Sequence, residues 1–205
     1  MRILFFGDSI TQGLTDPTGG WVQHVTAPYV RQLLGDAADS APDCFNLGVS
    51  ADTSQNVCDR FEFETQARKR SHKLVFVFAV GVNDACIAHG TLQATPDQYR
   101  ENITRLIAMA RKFSDKIMFV GLTPCQEDKT VPCVWGDYVY KNEDINKLEV
   151  VLQDVCQAKS VPLVSVADSF VGKEKELLAD GLHPNTKGHE LIANLVKPEL
   201  EKLIA

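Results

Sequence analysis

The sequence is poor in positive charge. Its 21 Lys and Arg are outnumbered by 27 Asp and Glu, which leaves a net charge of −6 at pH 7. Nucleic-acid backbones are bound through clustered Lys and Arg, so this balance speaks against a nucleic-acid partner. The one basic run, Arg68-Lys69-Arg70, suits the carboxyl end of a helix, where it complements the dipole. No stretch is apolar over the ~20 residues that a bilayer span requires, so no stable membrane insertion is expected. The N-terminus also lacks the pattern of a secretory leader. It passes from a short apolar run directly into Gly7-Asp8-Ser9, and cleavage there would remove that motif. The sequence as given therefore predicts a cytoplasmic protein. Among the six cysteines (44, 58, 86, 125, 133 and 156) there is no C-x-x-C pair of the kind zinc needs, and no metal is expected. A disulfide framework does not suit a cytosolic chain of this size, so small buried thiols are expected. Cys125 and Cys133 share one loop and are the pair to examine for a bridge.

What remains is ordinary for a soluble globular chain, with 44% apolar and 23% charged residues. Its 205 residues suit one domain, 1–205, with a sizeable core. No repeat, linker or low-complexity segment interrupts it. Short runs rich in Val, Ile, Leu and Phe at 2–6, 44–48, 73–80, 116–121 and 161–166 read as strands buried on both faces. Amphipathic stretches at about 20–34, 53–69, 96–113, 141–158 and 185–204 read as helices. Thr95 is placed to cap one of them, with Pro96 in its first turn, and Asn185 or Pro184 could open the last. This alternation predicts right-handed βαβ units in a three-layer α/β/α sandwich. The common doubly wound order for five parallel strands is 2-1-3-4-5.

In such a sheet, ligands bind outside the carboxyl ends of the strands. Gly7-Asp8-Ser9-Ile10 ends the first apolar run, Asn46-Leu47-Gly48 the second and Gly81-Val82-Asn83-Asp84 the third. Order 2-1-3-4-5 makes these ends neighbours. Asp180-Gly181-Leu182-His183-Pro184 stands just before the last helix. Ser9 alone could be a helix cap, and a serine hydroxyl is a weak nucleophile until a base takes its proton. His183 is the candidate base, since Asp180 lies three residues earlier and Pro184 restrains the backbone of His183. His24 and His189 fall in helices, and His72 lies at the opposite end of the sheet. His89 lies on the active side but has only Asp84 nearby in sequence. Acyl transfer also needs donors for an oxyanion. The N–H of Gly48, the side-chain amide of Asn83 and the N–H of Ser9 are candidates, although Gly48 could be only a turn and Asn83 only a cap. The stretch from Pro124 to Tyr140, with Trp135, Tyr138 and Tyr140, is the longest irregular segment and is placed to form a lid or pocket wall.

Taken together, these blocks resemble the SGNH-hydrolase superfamily, also called GDSL esterases and lipases, in its bacterial branch. Gly7-Asp8-Ser9-Ile10-Thr11 is similar to the first block, Gly48 to the second-block glycine, Gly81-Val82-Asn83-Asp84 to the third, and Asp180 to Pro184 to the last. Gly19-Gly20-Trp21-Val22 also looks like the bacterial branch. Ala51 is a departure, since many relatives have glycine after Val-Ser, and it would narrow the groove. The resemblance implies a flavodoxin-like fold and cofactor-free, metal-free hydrolysis of a small-molecule ester or thioester. It implies Ser9 as nucleophile, His183 as base, Asp180 as its orienter, and Ser9, Gly48 and Asn83 as the oxyanion hole. Relatives act on lysophospholipids, acyl thioesters, acetylated sugars and small aryl esters. With no basic patch and no long apolar lid, this chain leans toward short-chain or small soluble esters. The resemblance does not fix the oligomeric state. Three other readings remain: a flavin- or nucleotide-binding module using the hydroxyl-rich loop Ser9 to Thr15, a non-catalytic binding protein on the same scaffold, and an acyltransferase.

Overall fold

The computed structural model describes residues 1–34 and 41–205. The elements run β1 (Arg2–Gly7), α1 (Ser9–Gln12), α2 (Gly20–Leu33), β2 (Asp43–Gly48), α3 (Ser54–Lys69), β3 (Leu74–Ala79), β4 (Ile87–Ala88), β5 (Thr91–Leu92) and α4 (Pro96–Arg111). They continue with β6 (Ile117–Val120), α5 (Glu127–Thr130), β7 (Tyr138–Val139), α6 (Asn142–Lys159), β8 (Leu163–Val164), α7 (Ala167–Phe170), α8 (Glu174–Leu177) and α9 (Thr186–Ile204).

The main sheet has five parallel strands in the order β2-β1-β3-β6-β8. Renumbered within the sheet, this is the expected order 2-1-3-4-5. The intervening β4, β5 and β7 form a separate antiparallel sheet, β5-β4-β7. Helices α2 and α9 pack together on one face, and α3, α4 and α6 cover the other. The strands read as continuous apolar runs because both faces are covered. Phe6, Phe78 and Phe119 stand side by side across β1, β3 and β6, with centroids 5.7 and 5.0 Å apart, and Phe61 of α3 closes on them. On the opposite face Phe5 meets Trp21 of α2 edge to face at 5.7 Å.

Register explains why the site forms. Gly7 of β1 pairs with Gly48 of β2 and with Ala79 of β3, so the three strands end level. The loops that follow therefore leave the sheet side by side. Thr95 caps α4 in a capping box with Gln98, Pro96 sits in the first turn, and Asn185 caps α9. Two expectations change. The fifth strand shrinks from 161–166 to Leu163–Val164, an edge pair held by β6 alone, with Pro162 offering no N–H to the ladder. The stretch from Pro124 to Tyr140 is also more ordered than its sequence suggests. It contains α5 and β7, and β7 pairs with β4. All six cysteines are free, and all but Cys44 are buried.

Candidate active site

Asp8, not Ser9, caps the short helix that follows β1. Its carboxylate accepts the N–H of Ile10 at 2.9 Å, which leaves Ser9 as the first helical residue with its hydroxyl uncommitted to the backbone. The Ser9 Oγ lies 2.9 Å from Nε2 of His183, and Nδ1 of His183 lies 2.7 Å from Oδ2 of Asp180. The other oxygen of Asp180 accepts the backbone N–H groups of Leu182 and His183 at 2.9 and 2.8 Å. Partial burial works to raise the Asp180 pKa, but the hydrogen bonds from the side chain and backbone of His183 outweigh it and hold the carboxyl at about 2. Asp180 is thus ionised at neutral pH and can only accept, so Nδ1 of a neutral His183 carries the proton. Nε2 is then left as an acceptor for the Ser9 hydroxyl.

The loop after β1 is strapped to the segment that carries His183. The side chain of Asp16 is fully buried and accepts from the N–H and hydroxyl of Thr18, the N–H of Gly20 at 3.0 Å and the hydroxyl of Thr186 at 2.9 Å. Burial opposes its ionisation, yet these donors hold its pKa far below the usual carboxylate range. The Thr15 hydroxyl donates to the carbonyl of Pro184 at 2.8 Å. His189, one turn into α9, accepts the N–H of Trp21 on Nδ1 at 3.2 Å, and its Nε2 faces the carbonyl of Leu14. These ties fix the distance between Ser9 and His183. Asp16 carries no local sequence signal, since its partners lie 2 to 170 positions away.

One of the three groups expected to donate to an oxyanion has its N–H already engaged. The N–H of Gly48 is directed at Oδ1 of Asn46 at 3.0 Å, and Nδ2 of Asn46 in turn donates to the carbonyl of Thr11. Gly48 is glycine for a packing reason, since a Cβ there would stand 2.2 Å from the amide nitrogen of Gln12 in α1. The backbone of Ala51, three residues on, has a φ of 67° and lines the cleft beside Ser9 and Asn83. Among the described residues, neither its N–H nor that of Ser9 has an acceptor. Asn83 is not a cap. Its Nδ2 donates to the carbonyl of Asp52 at 3.0 Å, and its Oδ1 accepts the hydroxyl of Tyr140 at 2.9 Å. The carbonyl of Asp52 can only accept, which fixes the nitrogen end of the amide, and one amide hydrogen is left over.

The loop between Val49 and Ser54 is itself anchored. Asp84 accepts both the N–H and the hydroxyl of Ser54, and Arg60 pairs with Asp52 at 2.6 Å while donating to the carbonyl of Gly7. Burial raises Asp84 to about 6 and Asp8 to about 7, in each case against hydrogen bonds that favour the charge. The resulting cleft, about 240 Å³, is bordered by Ser9, Leu14, Ala51, Asn83, Trp135 and His183. The Trp135 ring lies 6.0 Å from the His183 ring, so the segment after Pro124 does form a wall of this cleft. His24 and His189 lie in α2 and α9, and His72 precedes β3 at the far end of the sheet. His89 finds a carboxylate that its local sequence does not show, Asp137 at 3.5 Å, but both side chains are largely exposed to solvent. Among the described residues, no group of three His, Cys, Asp or Glu is placed to hold a metal, and no helix is long and apolar enough to cross a membrane.

The model of the GDSL-like lipase/acylhydrolase family matches residues 5–191. No curated protein matches the chain. Among solved structures, the chain is similar to a lipase/acylhydrolase from Enterococcus faecalis, at 24% identity and a TM-score of 0.77 over 98% of this chain and 95% of that one. It is similar to a GDSL-like lipase from Bacteroides thetaiotaomicron, at 22% identity and a TM-score of 0.72 over 98% and 88%. An acetylxylan esterase from Geobacillus stearothermophilus matches at 18% identity and a TM-score of 0.73 over 97% and 93%.

Proposed function

The chain belongs to the GDSL-like lipase/acylhydrolase family, and from that premise we propose that it is a serine esterase whose nucleophile is Ser9. Membership points to ester hydrolysis in general. The residue roles rest on one observation, the chain from Asp180 through His183 to Ser9 at 2.7 and 2.9 Å, beside the free amide hydrogen of Asn83.

In this reading Nε2 of His183 takes the Ser9 proton as Oγ attacks the ester carbonyl carbon. The carbonyl π-bond opens and its electron pair moves to the oxygen. The N–H groups of Ser9 and Ala51 and the Nδ2–H of Asn83 receive that charge. The tetrahedral adduct collapses, the bond to the leaving oxygen breaks, and His183 returns its proton to that oxygen. Water, deprotonated by the same imidazole, then attacks the acyl-enzyme and releases the acid and free Ser9. Asp180 keeps its charge throughout, orienting the imidazole and stabilising its cation. A thioester presents the same carbonyl and would follow the same route. Residues 1–205 are read as one hydrolase domain.

Hydrolysis of a simple ester by the wild type, Ser9→Ala, His183→Ala and His89→Ala tests this. Loss of the nucleophile costs about 10⁶ in kcat in a comparable triad. Ser9→Ala and His183→Ala should therefore be nearly inactive while His89→Ala keeps wild-type turnover. An active Ser9→Ala, or an inactive His89→Ala beside an active His183→Ala, would refute the assignment.

A further inference from the structure

The cleft beside Ser9 and His183 adjoins a second hollow of about 320 Å³, bordered by Thr53, Cys86, Ala88, His89 and Gln93. The two hollows share Ala51, Asn83, Tyr138 and Tyr140, whereas Ser9 and His183 border only the first. Two of the three groups assigned to the oxyanion, Ala51 and Asn83, thus stand on the ridge between them, and the third, Ser9, lies on the side of the first. That arrangement sorts the two halves of an ester. The tetrahedral carbon carries the Ser9 oxygen, the oxyanion, the leaving oxygen and the acyl substituent. The oxyanion lies on the ridge. The leaving oxygen must be within reach of Nε2 of His183, which protonates it. The alcohol half therefore runs into the first hollow, and the acyl half crosses the ridge into the second.

The first hollow has a distinctive wall. Trp135 and Leu14 are 41% and 43% exposed, large apolar side chains left open at the mouth, and Leu182 lines the same space. The indole is tilted by 46° to the His183 ring, next to where the leaving oxygen departs. No Lys or Arg is among the residues described around either hollow, and the ionised Asp180 lies behind His183. An anionic alcohol would find no counter-charge there. An apolar ring would gain aromatic contact and bury open apolar surface. Resting on the esterase reading above, we propose that Trp135 determines specificity for the alcohol half, and that the preferred alcohol is uncharged with an apolar ring face.

Values of kcat/KM for benzyl, ethyl and 4-carboxybenzyl acetate test the alcohol side, and ethyl acetate against ethyl hexanoate tests the acyl side. The wild type should prefer benzyl over both other acetates. Trp135→Ala should lose about tenfold more on benzyl acetate than on ethyl acetate, the scale of one aromatic contact, with the acyl preference unchanged. Ala88→Leu, which narrows the second hollow, should disfavour hexanoate without altering the alcohol preference. A change of acyl preference in Trp135→Ala, with alcohol preference intact, would show the halves to be reversed. An equal loss on every ester would make Trp135 only a support for His183 and overturn the proposal. Wild-type hydrolysis indifferent to ring and charge would overturn it while leaving the esterase reading intact. A wild type inactive on all of these esters would remove both.

Discussion

The hydroxyl of Tyr140 donates to Oδ1 of Asn83 at 2.9 Å, and this bond, with the one from Nδ2 to the carbonyl of Asp52, fixes the amide's orientation. Tyr140 reaches Asn83 across 57 positions of sequence from the end of the small antiparallel sheet. In the proposed mechanism it orients the amide toward the charge that is greatest after attack. Tyr140→Phe should lower kcat by up to about tenfold, the net worth of one hydrogen bond, with KM little changed. Asn83→Ala should cost about 10²–10³ in kcat. Steady-state kinetics on a slow ester measures both. A raised KM at unchanged kcat would instead assign Asn83 to substrate contact.

Gly48 and Ala51 should respond in opposite ways to exchange. A Cβ at Gly48 would strike the backbone of α1, 2.2 Å from the nitrogen of Gln12. Gly48→Ala should destabilise by about 1–3 kcal/mol or more through that overlap. Ala51, at a φ of 67°, occupies backbone space that glycine enters freely. Ala51→Gly should fold with equal or higher stability and stay active. Urea unfolding of both variants decides the matter, and a stable, fully active Gly48→Ala would contradict the packing account.

Asp8 links stability to pH. Burial raises its carboxyl to about 7 in the fold, against 3.8 as a free side chain. A raised carboxylate pKa means the folded state holds a proton that the unfolded chain has lost. Its contribution is fully present below pH 3.8 and declines as pH rises toward 7. Asp8→Asn keeps the cap on Ile10 and removes the titration. Between pH 5 and 8 the melting temperature of Asp8→Asn should therefore fall less than that of the wild type. Parallel curves would show that Asp8 does not titrate in this range.

Removing Asp16 should loosen the strap between the two halves of the site. Asp16→Ala leaves the N–H groups of Thr18 and Gly20 and the hydroxyl of Thr186 without their acceptor. Each buried orphan costs about 1–3 kcal/mol, so the melting temperature should drop by several degrees or more. Activity of the still-folded fraction should fall too, because Thr186 lies three residues beyond His183. An Asp16→Ala protein that is less stable but catalytically unchanged would make the strap purely structural.

The parts of this molecule legible in its sequence are those written in local pattern. Apolar runs buried on both faces gave the strands, and Thr95-Pro96 and Asn185 marked helix starts by their capping chemistry. Asp180 and His183 were recognisable because their spacing lets one carboxylate meet both the imidazole and two nearby N–H groups. The contacts that were not legible join distant segments. Nothing near Asp16 announces Thr186, and nothing near Asn83 announces Tyr140. The reason for Gly48 is not legible, because a glycine required for packing and one required for a free N–H look the same in sequence. Only the partner of its N–H, Asn46, separates them. Likewise, Asp8 and Ser9 are both capping residue types, and only the fold shows that Asp8 takes the cap.

In the proposed mechanism Ser9 is the group acylated by substrate. Intact-mass spectrometry after treatment with a fluorophosphonate, followed by peptide mapping, tests it most directly. One adduct per chain should appear in the wild type and map to Ser9, none should appear in Ser9→Ala, and labelling should be much slower in His183→Ala. An adduct on another residue, or an unlabelled wild type that still hydrolyses esters, would contradict the account.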